Sequence, residues 1–299
     1  MSISFKFPHF RVVVSVVSLL LGWPCAASDV SVTYGAGSDR YQSYAFNAGV
    51  DLLQLPLQLD LDYYHIRTDG AEVLTQRGAG LTWNLTDWAS ANFRYVTIKE
   101  ESLDLSGNEY GASVFLSHLW QGRLHTRLDI GVGDYEYALN VRPAVRALIA
   151  GQVPEQRRYS LGLSQNITQD VYLYGAYDAY HYSSDPALLA RLLTRRFRQP
   201  SNAAAVLVSF PDVGRTLGIG WHMTEKLTVD VSYADTDTVI GQKQDSQKLS
   251  LNYRTNNAVS FNAALTLSNS DAVTRPNGAT QIQASDNTII EFGFSYTFP

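Results

Sequence analysis

Period-two alternation runs through almost the whole chain. In KLTVDVSYAD, Leu227, Val229, Val231 and Tyr233 fall on one face of an extended strand, and Lys226, Thr228, Asp230 and Ser232 fall on the other. KLSLNYR repeats the pattern, with Leu249, Leu251 and Tyr253 opposite Lys248, Ser250, Asn252 and Arg254. About fourteen such segments of roughly ten residues can be read, near 29–37, 43–53, 57–67, 73–84, 88–98, 109–119, 122–133, 156–165, 170–181, 213–223, 226–236, 246–255, 258–268 and 287–298. That length suits a tilted strand crossing a bilayer, and no run approaches the roughly twenty apolar residues of a spanning helix.

A β-sandwich alternates too, so the pattern needs a second criterion. Nearly every segment keeps one mostly polar face, and Trp83, Trp88, Trp120, Tyr172, Tyr174 and Trp221 cluster beside short connections, as an interfacial aromatic girdle would. The chain is aromatic-rich, with 18 Tyr, 12 Phe and 5 Trp, yet its mean hydropathy is only −0.12. A barrel with one lipid-facing and one wet side has that composition.

Residues 1–28 read as a secretory signal peptide: Lys6 and Arg11, then VVVSVVSLLLGW, then the small-residue stretch after Pro24, with a cut expected after Ala27 or Ser28. Cys25 is the one cysteine and would leave with that segment, so neither a disulfide framework nor a thiolate site is expected in the single domain 29–299. Removing Lys6 and Arg11 from the 23 basic residues leaves 21 against 28 acidic ones, a net −7, which argues against nucleic-acid binding.

The chain ends EFGFSYTFP, with Phe292, Phe294, Tyr296 and Phe298 on one face and Glu291, Gly293, Ser295 and Thr297 on the other. Glu291, Gly293, Tyr296 and Phe298 resemble the C-terminal assembly signal of Gram-negative outer-membrane β-barrel proteins. One difference is Pro299, which lacks an N–H and caps the strand. The resemblance implies that the barrel assembly machinery reads the last strand, which then closes against the first. The expected fold is all-β, a transmembrane antiparallel up-and-down barrel of about fourteen strands, twelve to sixteen being allowed, in the outer membrane.

Short connections at 54–56, 85–87, 121–122, 168–170, 224–226 and 255–257 would then be periplasmic turns. Longer ones at 99–108, 134–155, 182–212, 237–245 and 269–286 would be extracellular loops. Alternation projects Asp51, Asp60, Asp62, Arg94, Arg123, His125, Arg127, Asp129, Arg158, Asp178, Asp230, Lys248, Arg254 and Glu291 inward, as candidate pore-lining residues. Arg123, His125, Arg127 and Asp129 form the densest group, either a basic ladder for anionic solutes or a set neutralised by Asp129, Asp230 or Glu291.

SSDPALLARLLTRRFRQP (183–200) breaks the β pattern. Asp185 is placed as an N-cap and Pro186 as the first helical residue, with Leu188, Leu189, Leu192, Leu193 and Phe197 at helical spacing. Arg191, Arg195, Arg196 and Arg198 would sit at a pore constriction or on lipopolysaccharide phosphates. PAVRALIAG (143–151) is a candidate shorter helix packing against it.

Size and strand number are similar to those of small porins, which implies a passive channel for small hydrophilic solutes such as ions, sugars or oligosaccharides. Two other classes compete. Inward Asp60, Asp62, Tyr64 and Asp178 would suit a sugar track in an exopolysaccharide export or assembly barrel. An outer-membrane enzyme would need a nucleophile beside a base, but Ser117 and His118 are strand neighbours on opposite faces, and His65, His125, His181 and His222 show no metal-ligand spacing. No catalytic residue, metal or cofactor is expected. Expected partners are outer-membrane lipid, lipopolysaccharide, the assembly machinery and small solutes.

Overall fold

The computed structural model describes residues 26–52, 55–69, 71–100, 103–116, 125–141, 149, 151–197, 207, 209–274, 280–282 and 284–298. Its strands are β1 (Ala26–Gly37), β2 (Gln42–Leu52), β3 (Leu57–Thr68), β4 (Ala71–Thr86), β5 (Ala89–Glu100), β6 (Leu103–Phe115), β7 (Thr126–Leu139), β8 (Gln156–Asn166), β9 (Val171–Tyr182), β10 (Pro211–His222), β11 (Leu227–Thr238), β12 (Lys243–Arg254), β13 (Val259–Ser270), β14 (Val273–Thr274), β15 (Thr280–Ile282) and β16 (Ser285–Thr297). Helix α1 (Pro186–Phe197) lies between β9 and β10. All strands except β14 and β15 form one closed antiparallel barrel of fourteen, each paired with its sequence neighbours; β14 and β15 make a separate hairpin.

Closure joins β16 to β1, with Phe294 opposite Val32, Phe292 opposite Tyr34, and Glu291 opposite Gly35. On the aromatic face of the C-terminal strand Phe292 and Phe294 are exposed, and Tyr296 and Phe298 meet edge to face at 4.7 Å. The even strand number returns both ends of the barrel chain to one rim, the terminal rim; the opposite rim is called the loop rim.

Which face is outside follows from crowding. On a convex surface side chains splay apart, and Leu217 (68 %) and Phe292 (61 %) stand the most open of the large apolar residues. The polar face is more crowded, as the concave side of a closed sheet must be. Outward Trp83, Trp88, Trp221 and Tyr253 sit near the terminal rim, and Tyr95, Tyr110, Tyr159, Tyr177 and Tyr233 make a second exposed row nearer the loop rim. Leu173, Ile219, Val231, Leu251 and Phe294 lie between them, an apolar band bounded by two aromatic rows. Above the tyrosines the outer face turns polar, with Arg157 on Asp134 at 2.6 Å and Arg215 on Asp235 at 2.7 Å. Ile219, between Leu173 and Val231 in the register, tests this band: Ile219→Arg is expected to cost about 2–4 kcal/mol in urea unfolding from lipid vesicles.

The terminal-rim connections fall close to the sequence reading except around 121–122. There β6 ends at Phe115 and β7 begins at Thr126, so both strands are displaced towards the loop rim. Residues 117–124, with Trp120 and Arg123, lie outside the described residues. Two expected long loops also prove short. Only 101–102 separate β5 from β6, and only 239–242 separate β11 from β12. Above the tyrosine row both faces meet water, so alternation fades while the hydrogen-bond ladder continues, and strands outlast their sequence signature. The long loops are 140–155, 183–210 and 271–284.

β1 begins at Ala26, just inside the segment read as a signal peptide, and residues 1–25 lie outside the described residues, as does Pro299.

Candidate functional site

The inward face carries a charged belt across seven neighbouring strands, β3 to β9. Arg94 on β5 reaches over β4 to Asp62 on β3, with Nε to Oδ1 at 3.0 Å and Nη2 to Oδ2 at 2.8 Å, a bidentate fork. The way is open because Asp62 and Arg94 are registered on β4 against Gly78 and Gly80. The other arm of Arg94 donates to Glu109 Oε2 at 2.9 Å. Glu109 Oε1 accepts from Arg158 Nη2 at 3.2 Å and from the Tyr135 hydroxyl at 2.5 Å, and Arg158 Nε lies 3.9 Å from Asp178 Oδ1. Sequence reading placed Asp62, Arg94, Arg158 and Asp178 on this face, but missed Glu109 at the junction. The signal was available, since Glu109 shares parity with Gly111 and Ser113 in NEYGASV.

Elsewhere on the inward face, Asp60 accepts from Thr82 at 3.0 Å, Lys248 reaches Glu291 at 3.2 Å, and Asp230 accepts from the hydroxyls of Tyr172 and Tyr174. Asp51 and Arg254 have no ion-pair partner among the described residues. Of the predicted basic ladder, Arg127 is held by Asp129 on its own strand at 2.8 Å, Asp129 also accepts from Ser113 at 2.5 Å, His125 precedes β7, and Arg123 lies outside the described residues. Asp129 thus takes the neutralising part foreseen for it, while Asp230 and Glu291 are engaged elsewhere on the wall.

Tyr172 and Tyr174 do not belong to the outer girdle. They share parity with Asp178 on β9, opposite outward Leu173 and Tyr177, and face inward. Their even spacing with Asp178 in VYLYGAYD was the overlooked signal.

At the loop rim, α1 folds against this same inner face. Asp185 caps it, its Oδ1 accepting from the Ala187 N–H at 2.8 Å. Leu189, Ala190 and Leu193 are buried in one cluster with Leu103 and Leu139, paired inward residues of β6 and β7, and with Ile149, Leu207 and Phe210. Tyr137, Tyr182, Val239 and Ile240 pack around it. The apolar stripe of the helix therefore seals onto the mouth of the barrel, from the β6–β7 wall towards the β11–β12 turn, leaving Leu188, Arg191 and Leu192 exposed. Arg195 and Arg196 lie in the helix; Arg198 lies outside the described residues. Of 143–151, buried Ile149 is helical and joins the same cluster.

Fold and site together define a transmembrane β-barrel with a polar, ion-paired lumen and a helix in one mouth. No family model and no curated protein matches the chain. Among solved structures it is similar to the KdgM porin, at 8 % identity over 91 % of this chain and 99 % of that one, with a TM-score of 0.44. It is also similar to an anion-selective porin from Comamonas acidovorans, at 11 % identity over 91 % and 99 %, TM-score 0.46. A third is OccK3 (OpdO) of Pseudomonas aeruginosa, at 11 % identity over 92 % and 95 %, TM-score 0.44. Likeness at this level carries no solute from those proteins to this one.

Proposed function

We propose that the chain is an outer-membrane channel for passive diffusion of small hydrophilic solutes, exported by a cleaved segment near 1–28 and inserted through the assembly signal Glu291, Gly293, Tyr296 and Phe298. The observation that carries this reading is the state of the lumen wall. Its charged side chains are tied to one another along the sheet, as Asp62, Arg94, Glu109 and Arg158 are. Side chains held against the wall leave the axis of a fourteen-stranded barrel to water, unlike the packed interior of an eight-stranded one. On the same reading α1 narrows the mouth at the extracellular rim. Its apolar stripe is spent on the inner-wall cluster, which favours a constriction over attachment to lipopolysaccharide.

The charge balance gives this channel a sign. The inward bases Arg94, Arg127, Arg158 and Lys248 each sit against a carboxylate. Among the described residues, Asp29, Asp51, Asp60 and Asp230 have no cationic partner, and the unpaired bases sharing their face are two, Lys226 and Arg254. A lumen with uncompensated carboxylates favours cations. The refolded chain from about residue 28 is expected to give steady ohmic steps in a planar bilayer, with a reversal potential in a KCl gradient on the potassium side. A sealed membrane would remove the channel reading. Conductance with a chloride-side potential would leave the channel and reverse its assigned selectivity.

A further inference from the structure

β9 sets Tyr172 and Tyr174 at alternate inward positions, and β10 places glycine directly opposite each, Gly220 against Tyr172 and Gly218 against Tyr174. A β-carbon built on Gly218 would lie 2.2 Å from Tyr174 Cζ, and one on Gly220 2.0 Å from Tyr172 Cζ. Both rings therefore lie over bare backbone with one face closed by the wall. Their hydroxyls cross β10 to one carboxylate on β11, Tyr174 donating to Asp230 Oδ1 at 2.7 Å and Tyr172 to Oδ2 at 3.3 Å. Pinned at both ends, the rings stack side by side at 6.2 Å and 30°. The ring of His222 continues the row 5.4 Å beyond Tyr172, its Nδ1 2.9 Å from the Thr228 hydroxyl.

A tyrosine lying on glycine also serves simply to seal a wall, and Tyr135 shows that case. It covers Gly107 and Gly133, but the Arg158 guanidinium lies over its ring at 5.9 Å and only 7 % of it is exposed. Tyr172 and Tyr174 remain partly exposed on the lumen side. We propose that Tyr172, Tyr174 and Asp230 form a saccharide-binding platform on the lumen wall towards the terminal rim. This deepens the channel reading and rests on it.

The chemistry selects a sugar. The C–H face of a pyranose is apolar and carries partial positive charge, which suits the electron-rich face of a tyrosine ring. Its hydroxyls find acceptors on the free lone pairs of Asp230 and a hydroxyl partner in Thr228. Rings set side by side in a row offer a surface to successive neutral ring units. An organic cation is instead held by rings that surround it as a cage.

The test uses the full mature chain in a planar bilayer, with maltohexaose as probe and polyethylene glycol of similar mass and choline chloride as controls. Maltohexaose should interrupt the current reversibly, and Tyr172→Ala with Tyr174→Ala should weaken that block about tenfold, two ring contacts being removed. Open-channel conductance should not fall. Tyr172→Phe with Tyr174→Phe keeps the rings and should retain most of the block. Equal block of parent and alanine variant, block by polyethylene glycol at the same concentration, or block by choline alone would each overturn the platform. If the parent gives no current, the channel reading fails, and calorimetric titration of maltohexaose into the folded protein in micelles, parent against alanine variant, still decides the platform.

Discussion

Replacing Leu189 and Leu193 together by glutamate is expected to raise single-channel conductance by about twofold or more, since current through a water-filled pore is governed by its narrowest section. Both leucines are 2 % exposed and pack with Leu103 and Leu139 of the inner wall. Two carboxylates there would have no counter-ion among the described residues of the cluster, and leaving the wall is cheaper for the helix than staying. The barrel itself should persist, because its ladders are complete without α1. Leu188→Glu, on the exposed side of the same helix, is the control and should leave conductance unchanged. The measurement also separates the two places foreseen for the arginine-rich segment. A helix held outside by lipopolysaccharide would not touch the current in a membrane of phospholipid alone. Unchanged conductance in the double variant would remove α1 from the mouth.

The sequence made the architecture legible and the site only in part, for a physical reason. A membrane barrel is specified by a face pattern, and period-two alternation records faces directly. Fourteen strands, closure at Phe292 and Phe294 and the inward set of Asp62, Arg94, Arg158 and Asp178 could therefore be read off. Where both faces are wet the pattern fades, so β5, β6, β11 and β12 run further towards the loop rim than their alternation shows. At the terminal rim β7 begins only at Thr126, which leaves Arg127 and Asp129 of the expected ladder on the strand. Aromatic identity alone proved ambiguous, since a tyrosine serves in an outer girdle and on a lumen wall; for Tyr172 and Tyr174 parity with Asp178 decides, and composition does not. The amphipathic stripe and cap of α1 were legible, whereas the surface it meets depends on long-range contacts with β6 and β7 that no local spacing encodes.

Glu109 is the residue whose loss should be felt most widely in the lumen. Its two oxygens join Arg94 at 2.9 Å, Arg158 at 3.2 Å and Tyr135 at 2.5 Å, and its side chain is only 17 % exposed. Glu109→Gln keeps the volume and removes the charge, so that among the described residues the carboxylate left to Arg158 is Asp178 at 3.9 Å and the one left to Arg94 is Asp62. Removing one partner of a fully buried pair costs about 3–5 kcal/mol, and one open side towards water lowers this to about 2 kcal/mol, read as a shift in urea unfolding followed by tryptophan fluorescence. If the belt acts as a unit, Arg94→Met and Glu109→Gln should not add: the cycle should show a coupling of about 1–2 kcal/mol. A second readout follows from the sign. Glu109→Gln deletes a negative charge from the wall and releases guanidinium charge towards the lumen, so the reversal potential in a KCl gradient should move towards chloride. Additive stabilities with an unmoved potential would mean that the belt is neither a brace nor a filter.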